Sequence, residues 1–145
     1  MGTTCTAAIV LPDRLFVAQI GDSRAYLLRD GRLQLLTRDQ TMVDQLLASG
    51  ALRPDQVATF PYRNVLTQAV GTQSTIEPVT SEASLRRGDR ILLCSDGLHR
   101  PVPAPEIARI LGAAEDIDLV TGELIQAALS AGGPDNVTVV VADCE

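Results

Sequence analysis

The sequence predicts an α+β domain built on antiparallel strands, and three observations carry that expectation. Short apolar runs separated by turn residues open the chain, two helical patterns occupy its last third, and a valine-rich run, "NVTVVVAD", closes it. With 145 residues, 46% hydrophobic and 21% charged, the chain fits one compact domain over residues 1–145 with a single core.

From Thr4 to Thr37 the pattern is an antiparallel meander of four strands: "TCTAAIVL", "RLFVAQI", "RAYLL" and "RLQLLT". Turns at Pro12-Asp13, Gly21-Asp22-Ser23 and Asp30-Gly31 separate them. Asp39 caps a helix whose apolar residues Met42, Val43, Leu46 and Leu47 share one face, and Gly50 stops it. Ala51 to Gly71 contains Pro54, Pro61 and scattered apolar residues, which predicts an irregular excursion with a short helix. Strand signal returns over Thr75–Leu85 and again in "DRILLCSDG". Helices follow over about Pro105–Leu111, with Ile107, Ile110 and Leu111 inward, and about Ile117–Ser130, with Val120, Leu124, Ala128 and Leu129 inward. The terminal valine run reads as a buried strand.

Charge and composition exclude several classes. A net charge of -6 leaves no basic stripe for nucleic acid or an anionic membrane surface, and suits a site that collects cations. No stretch is long enough to span a membrane, and the N-terminus lacks the pattern of a signal peptide. Cys5, Cys94 and Cys144 lie in apolar runs without Cys-x-x-Cys spacing, which predicts buried reduced thiols in a cytoplasmic protein and argues against zinc.

Three acids stand where strands meet turns. Asp22 follows "FVAQIG", Asp96 follows "ILLCS", and Asp135 precedes "NVTVVV". In an antiparallel sheet the exit of one strand lies beside the entrance of the next, so Asp96 and Asp135 can be neighbours. Converging carboxylates repel one another beside a low-dielectric core and call for raised pKa values or a bound cation. Oxygen-only donors favour Mg²⁺ or Mn²⁺, His99 being the only histidine. The same acids sit in good turn sequences, Gly-Asp-Ser, Asp-Gly and Pro-Asp-Asn, so turn formation alone stands as a second account of them. Arg24 orders its own turn or pairs with an acid, and Arg86, Arg87 and Arg90 read as a solvated strand border.

The stretches "GTTCTAAIV", "VAQIGDSRAYLLRDGRLQLLTRDQT", "VLTQAVGT", "GDRILLCSDGL" and "GGPDNVTVVVAD" resemble, in order and spacing, the second part of the metal-dependent protein phosphatases of the type 2C (PPM) family in their bacterial form. The resemblance spans nearly the whole chain. It implies a layered α-β-β-α sandwich, two antiparallel sheets flanked by helices. It also implies that Asp96 and Asp135 bind the first of two catalytic ions, Mn²⁺ or Mg²⁺, which together activate a bridging water, and that Asp22 binds an additional, weaker ion. The implied activity is hydrolysis of phosphoserine or phosphothreonine in protein substrates, opposite a cognate kinase, with residues 37–71 as a flap beside the site.

The family's first part supplies a phosphate-gripping arginine, an acidic "NED"-type ligand and a "DGMGG" acid that bridges the two ions, and these stretches do not occur here. The resemblance therefore implies the C-terminal portion of a phosphatase domain, incomplete at its N-terminus, that carries no further catalytic residue and is inactive alone. The alternative is a non-catalytic remnant that binds a cation weakly or serves as an interaction module. One departure is local: the family pattern has an acid four residues after Asp96, and this chain has Arg100 in "SDGLHR". Arg100 can pair with Asp22, contact the substrate phosphate, or stand exposed before Pro101.

Overall fold

Gly21 decides which sheet each of the opening strands joins. In the computed structural model, which describes residues 1–145, β1 (Cys5–Val10) and β2 (Arg14–Ile20) form a hairpin. The chain then turns through Gly21 at φ +99°, a value that L side chains rarely adopt. A Cβ there would lie 2.8 Å from the Cβ of Thr4, so the turn is closed to other residues on two counts. Beyond it, β3 (Arg24–Arg29) and β4 (Arg32–Leu35) belong to a different sheet. The predicted strands are all present, but the single meander is corrected to two hairpins in two sheets.

The first sheet has the order β1-β2-β5, with β5 at Val79–Ser84. The second has the order β4-β3-β6-β7, with β6 at Arg90–Cys94 and β7 at Val139–Asp143, and all its pairings are antiparallel. Alternation along the strands sorts side chains to opposite faces. Leu15 and Val17 of β2 meet Ala25 and Leu27 of β3 and Ile91 of β6 between the two sheets. Tyr26, Leu28, Leu92 and Cys94 point the other way, onto the helices. The one predicted core is thus two apolar clusters, one on each face of the second sheet.

Helices α2 (Asp96–His99), α3 (Ala104–Leu111) and α4 (Ile117–Ser130) cover that outer face. Ile107, Ile110, Leu111, Val120, Leu124 and Ala128 are buried as the periodicity predicts. Leu129 is 52% exposed, a correction: the helix turns it past the edge of the apolar stripe defined by Val120, Leu124 and Ala128. The layers within this chain run helix, sheet, sheet, in agreement with the predicted α+β sandwich. On the far side of the first sheet, Cys5, Ala7 and Ile9 of the edge strand β1 are exposed.

Edge strands depart furthest from expectation. Cys94 is buried and Cys144 half-buried, but Cys5 is exposed on the open face of β1, against the prediction of three buried thiols. Val140 of β7 is 54% exposed where a buried strand was predicted, because β7 packs only its Val139 and Val141 face on the helices. The excursion after β4 contains α1 (Met42–Ala48) and a short 3-10 turn at Pro54–Thr59, much as predicted. Thr41, not Asp39, caps α1, its hydroxyl accepting from Asp44 N–H, and only Val43 of the helix is buried. Asp39 is held elsewhere by Arg24. Two isolated bridges, Thr41 with Leu66 and Thr3 with Val70, return the excursion to the sandwich.

Candidate metal centre

Strand order brings the three acids to one end of the second sheet. β3, β6 and β7 are adjacent there, with Arg24 opposite Cys94 and Cys94 opposite Val139. Asp22 lies two residues before β3, Asp96 two residues after β6, and Asp135 four residues before β7. Asp96 and Asp135 thus flank adjacent strand ends, as antiparallel pairing allows.

Asp96 opens α2, a single turn too short to be stable by itself. Leu98 anchors it: the side chain is fully buried, which contributes roughly 2 kcal/mol. Ser95 ties the same turn to the loop before β7. Its backbone N–H donates to the carbonyl of Thr138 (3.0 Å), its hydroxyl donates to the carbonyl of Asn136 (3.2 Å), and Thr138 N–H donates back to Ser95 Oγ (2.9 Å). Gly97 completes the junction. A Cβ at this position would press into the carbonyl oxygen of Asn136 and lie 2.9 Å from its carbonyl carbon. The bare backbone of Gly97 is what lets Asp135 and Asn136 approach Asp96.

Asp96 and Asp135 line one open cleft of about 510 Å³, together with Arg63, Asn64, Gly97 and Arg100. Asp135 is exposed, and its carboxylate accepts from the Asn136 N–H at 2.7 Å. Asp22 does not line the cleft. It is 5% exposed, and Arg100 Nη2 donates to its Oδ2 at 2.6 Å while Arg100 Nη1 lies 3.3 Å from Asp96 Oδ2. Burial raises the pKa of the Asp22 carboxyl above its ordinary value and the Asp96 charge adds to the rise, with Arg100 opposing both. Of the three roles open to Arg100, the pairing with Asp22 is the one seen, and the side chain also borders the cleft.

Behind Asp22 lies a second polar layer. Arg24 donates twice to Asp39, Nε to Oδ1 at 2.9 Å and Nη2 to Oδ2 at 2.8 Å, and once to the Tyr26 hydroxyl at 3.1 Å, so the prediction that Arg24 pairs with an acid holds. Burial works against the Arg24 charge, but the bonds to Asp39 and Tyr26 raise its pKa overall. His99 Nε2 donates to the Asp22 carbonyl at 2.8 Å. Its pKa is lowered, mainly by burial and then by the nearby Arg24 charge. Tied to the backbone, His99 braces the Asp22 turn.

No three His, Cys, Asp or Glu side chains converge closely enough to make a complete protein cage. Mg²⁺ and Mn²⁺ do not require one: Mg²⁺ is commonly held by one or two carboxylates and several waters, and oxygen donors suit both ions. Two carboxylates at the mouth of a polar cleft match that demand. Arg63 and Asn64, which also line the cleft, were not found from sequence, because the irregular excursion that carries them has no periodicity to place it.

The chain is similar to several known proteins. Residues 1–119 match the family described as Protein phosphatase 2C. The chain is 46% identical over 143 residues to the serine/threonine protein phosphatase PstP of Mycobacterium tuberculosis, an alignment that covers 99% of this chain and 27% of that protein. It is 37% identical to the protein phosphatase PhpP of Streptococcus pneumoniae, covering 57% of it. The fold superposes on the crystal structure of M. tuberculosis PstP with a TM-score of 0.92 and 44% identity, over 100% of this chain and 61% of that one. A structure of the PstP catalytic domain in complex with two manganese ions matches with a TM-score of 0.85 and 44% identity, over 99% of this chain and 59% of that one. The chain thus spans between about a quarter and three-fifths of the length of these relatives.

Proposed function

The chain belongs to the protein phosphatase 2C family, and from that premise we propose that it carries the part of a serine/threonine phosphatase site in which Asp96 and Asp135 hold a divalent cation. The observation that supports this best is the meeting of the two carboxylates in one cleft across the Gly97–Asn136 contact. Mn²⁺ is the ion we propose first, since a related catalytic domain binds two manganese ions, with Mg²⁺ as its hard-ion equivalent. Such ions, when bound, supply charge neutralisation and activation of water for attack on a phosphomonoester.

The chain's own residues position and select. Asp96 is fixed by the Leu98 anchor and Asp135 by the Ser95 bonds to the loop before β7, so both carboxylates are set before an ion arrives. Arg63 brings a permanent positive charge to the same cleft from the 37–71 excursion, which suits a phosphorylated side chain and fits the flap role proposed for that segment. His99, committed to a carbonyl, is withdrawn from proton donation. The substrates proposed are proteins carrying phosphoserine or phosphothreonine, opposite a cognate kinase. The cytoplasm suits the three free cysteines, and no helix is long and apolar enough to cross a membrane.

The test is turnover. Joined to the N-terminal portion of a bacterial relative, the chain should hydrolyse a phosphothreonine peptide with Mn²⁺, and Asp96→Asn or Asp135→Asn should abolish hydrolysis with the fold intact by circular dichroism. Activity that persists in both variants would remove the metal-ligand assignment. The chain alone should turn over no faster than its Asp96→Ala variant.

A further inference from the structure

We propose that the Arg100 guanidinium is a built-in cation standing between Asp22 and Asp96, so that Asp22 holds a side chain of this chain and no divalent ion. Two carboxylates that face one another across a buried turn need a positive charge near both. Arg100 supplies it, with Nη2 2.6 Å from Asp22 Oδ2 and Nη1 3.3 Å from Asp96 Oδ2. The two amino groups of the guanidinium fork reach one carboxylate each.

Three features fix the arrangement. Arg100 caps α2 one helical turn after Asp96, so both side chains rise from the same face. The Asp22 turn is clamped from its other side, where His99 donates to its carbonyl, and Gly21 allows no other residue at the sheet crossing. Asp22 is 5% exposed, and Arg100 is its sole ion-pair partner within 4 Å. A hard cation at Asp22 would bind a carboxylate one of whose oxygens already accepts a charge-assisted bond, and would meet a like charge that cannot deprotonate. The residues here therefore do not fit the additional, weaker ion that the family resemblance implies, and the place is filled from within. The consequence is a site whose additional cation is permanent and independent of metal supply.

Asp96 is shared with the proposed catalytic ion, so Asp135 serves as the probe of that reading and Asp22 as the probe of this one. The experiment counts Mn²⁺ bound per chain from the loss of the free-ion electron paramagnetic resonance signal. Arg100→Ala should bind one more Mn²⁺ than wild type, and Arg100→Ala with Asp22→Asn should return to the wild-type number. In the wild-type background, Asp22→Asn should leave Mn²⁺ binding unchanged. Equal numbers in wild type and folded Arg100→Ala would overturn the proposal, as would loss of an ion on Asp22→Asn alone. If Arg100→Ala does not fold without metal, added Mn²⁺ should restore its melting transition, and the Asp22→Asn single variant decides the matter independently. Wild type that binds no Mn²⁺ and is indifferent to Asp135→Asn would count against the catalytic reading, leaving the gain in Arg100→Ala still measurable.

Discussion

The two ends of the four-stranded sheet carry clusters of the same residue types with opposite charge balance. At the far end, Arg90 pairs with Asp143, Arg29 with Asp89, and Arg86 with Asp30, so each acid has its own arginine. At the near end, Asp22 and Asp96 share Arg100, and Asp135 has only the Asn136 N–H. Arg24, the other arginine there, is spent on Asp39. Matched pairs close off a structure, whereas carboxylates left short of positive charge leave room for a cation. The same three strands, β3, β6 and β7, thus end in a structural lock on one side and a candidate site on the other.

Breaking the lock should have the largest effect. Arg90 donates to both oxygens of Asp143 and to the carbonyls of Leu111 (2.6 Å), Ala114 (2.7 Å) and Glu115 (3.0 Å), tying β6 to the end of α3. Arg90→Ala leaves these acceptors unpaired and should cost about 3 kcal/mol by urea denaturation, with no loss of Mn²⁺ per folded chain. A cost below about 0.5 kcal/mol would show the far end to be no lock.

Next in size is Gly97→Ala. The added methyl meets the backbone of Asn136, and relief should cost about 1–3 kcal/mol while moving Asp135 away from Asp96. Mn²⁺ affinity measured by titration calorimetry should fall although every carboxylate is retained. Unchanged affinity would mean that the close approach does not shape the site.

Acid should act on the far end in a graded way. The hydrogen bonds from Arg29 hold the Asp89 carboxyl below the usual carboxylate range against the effect of burial, and Arg90 does the same for Asp143. A folded pKa below the unfolded value of about 3.9 gives stability that is complete above that pH and is lost as pH falls through the folded pKa. The urea midpoint should therefore drop below about pH 4, less steeply in Asp89→Asn. Identical pH profiles for the variant and wild type would contradict this.

The smallest effects belong to the open surfaces. Ile9→Thr and Val140→Thr, at 64% and 54% exposure, should change monomer stability by no more than about 0.5 kcal/mol. Both should reduce self-association in sedimentation velocity, because they blunt apolar patches on the edge strands β1 and β7. Wild type that stays monomeric at high concentration would remove the premise.

The near end was legible in the sequence because it is built from local signals. Asp22, Asp96 and Asp135 each mark a strand border, and the β-branched run after Asn136 supplied the neighbouring strand. What sequence could not assign was partnership across space. Nothing in "QIGDSR" says that β2 and β3 part into separate sheets, since a tight hairpin turn and a sheet crossing use the same Gly-Asp-Ser chemistry. Asp39 looked like a helix cap, but Arg24 lies within reach of it from β3, leaving Thr41 to cap α1. Arg90 was expected in a solvated border with Arg86 and Arg87, yet it is 9% exposed: its acceptors come from α3, the segment after it and β7, all distant in sequence. Val140 misled in the opposite sense, since a valine run does not reveal that only one face of its strand is covered.

The central claim, that the near end is a cation site and the far end is not, is tested most directly by Mn²⁺ titration of three proteins in one calorimetry series: wild type, Asp135→Asn and Asp143→Asn. Asp135→Asn should lose binding, and folded Asp143→Asn should bind as wild type does. Retained binding in Asp135→Asn, or loss confined to Asp143→Asn, would contradict the assignment of the cation to the cleft between Asp96 and Asp135.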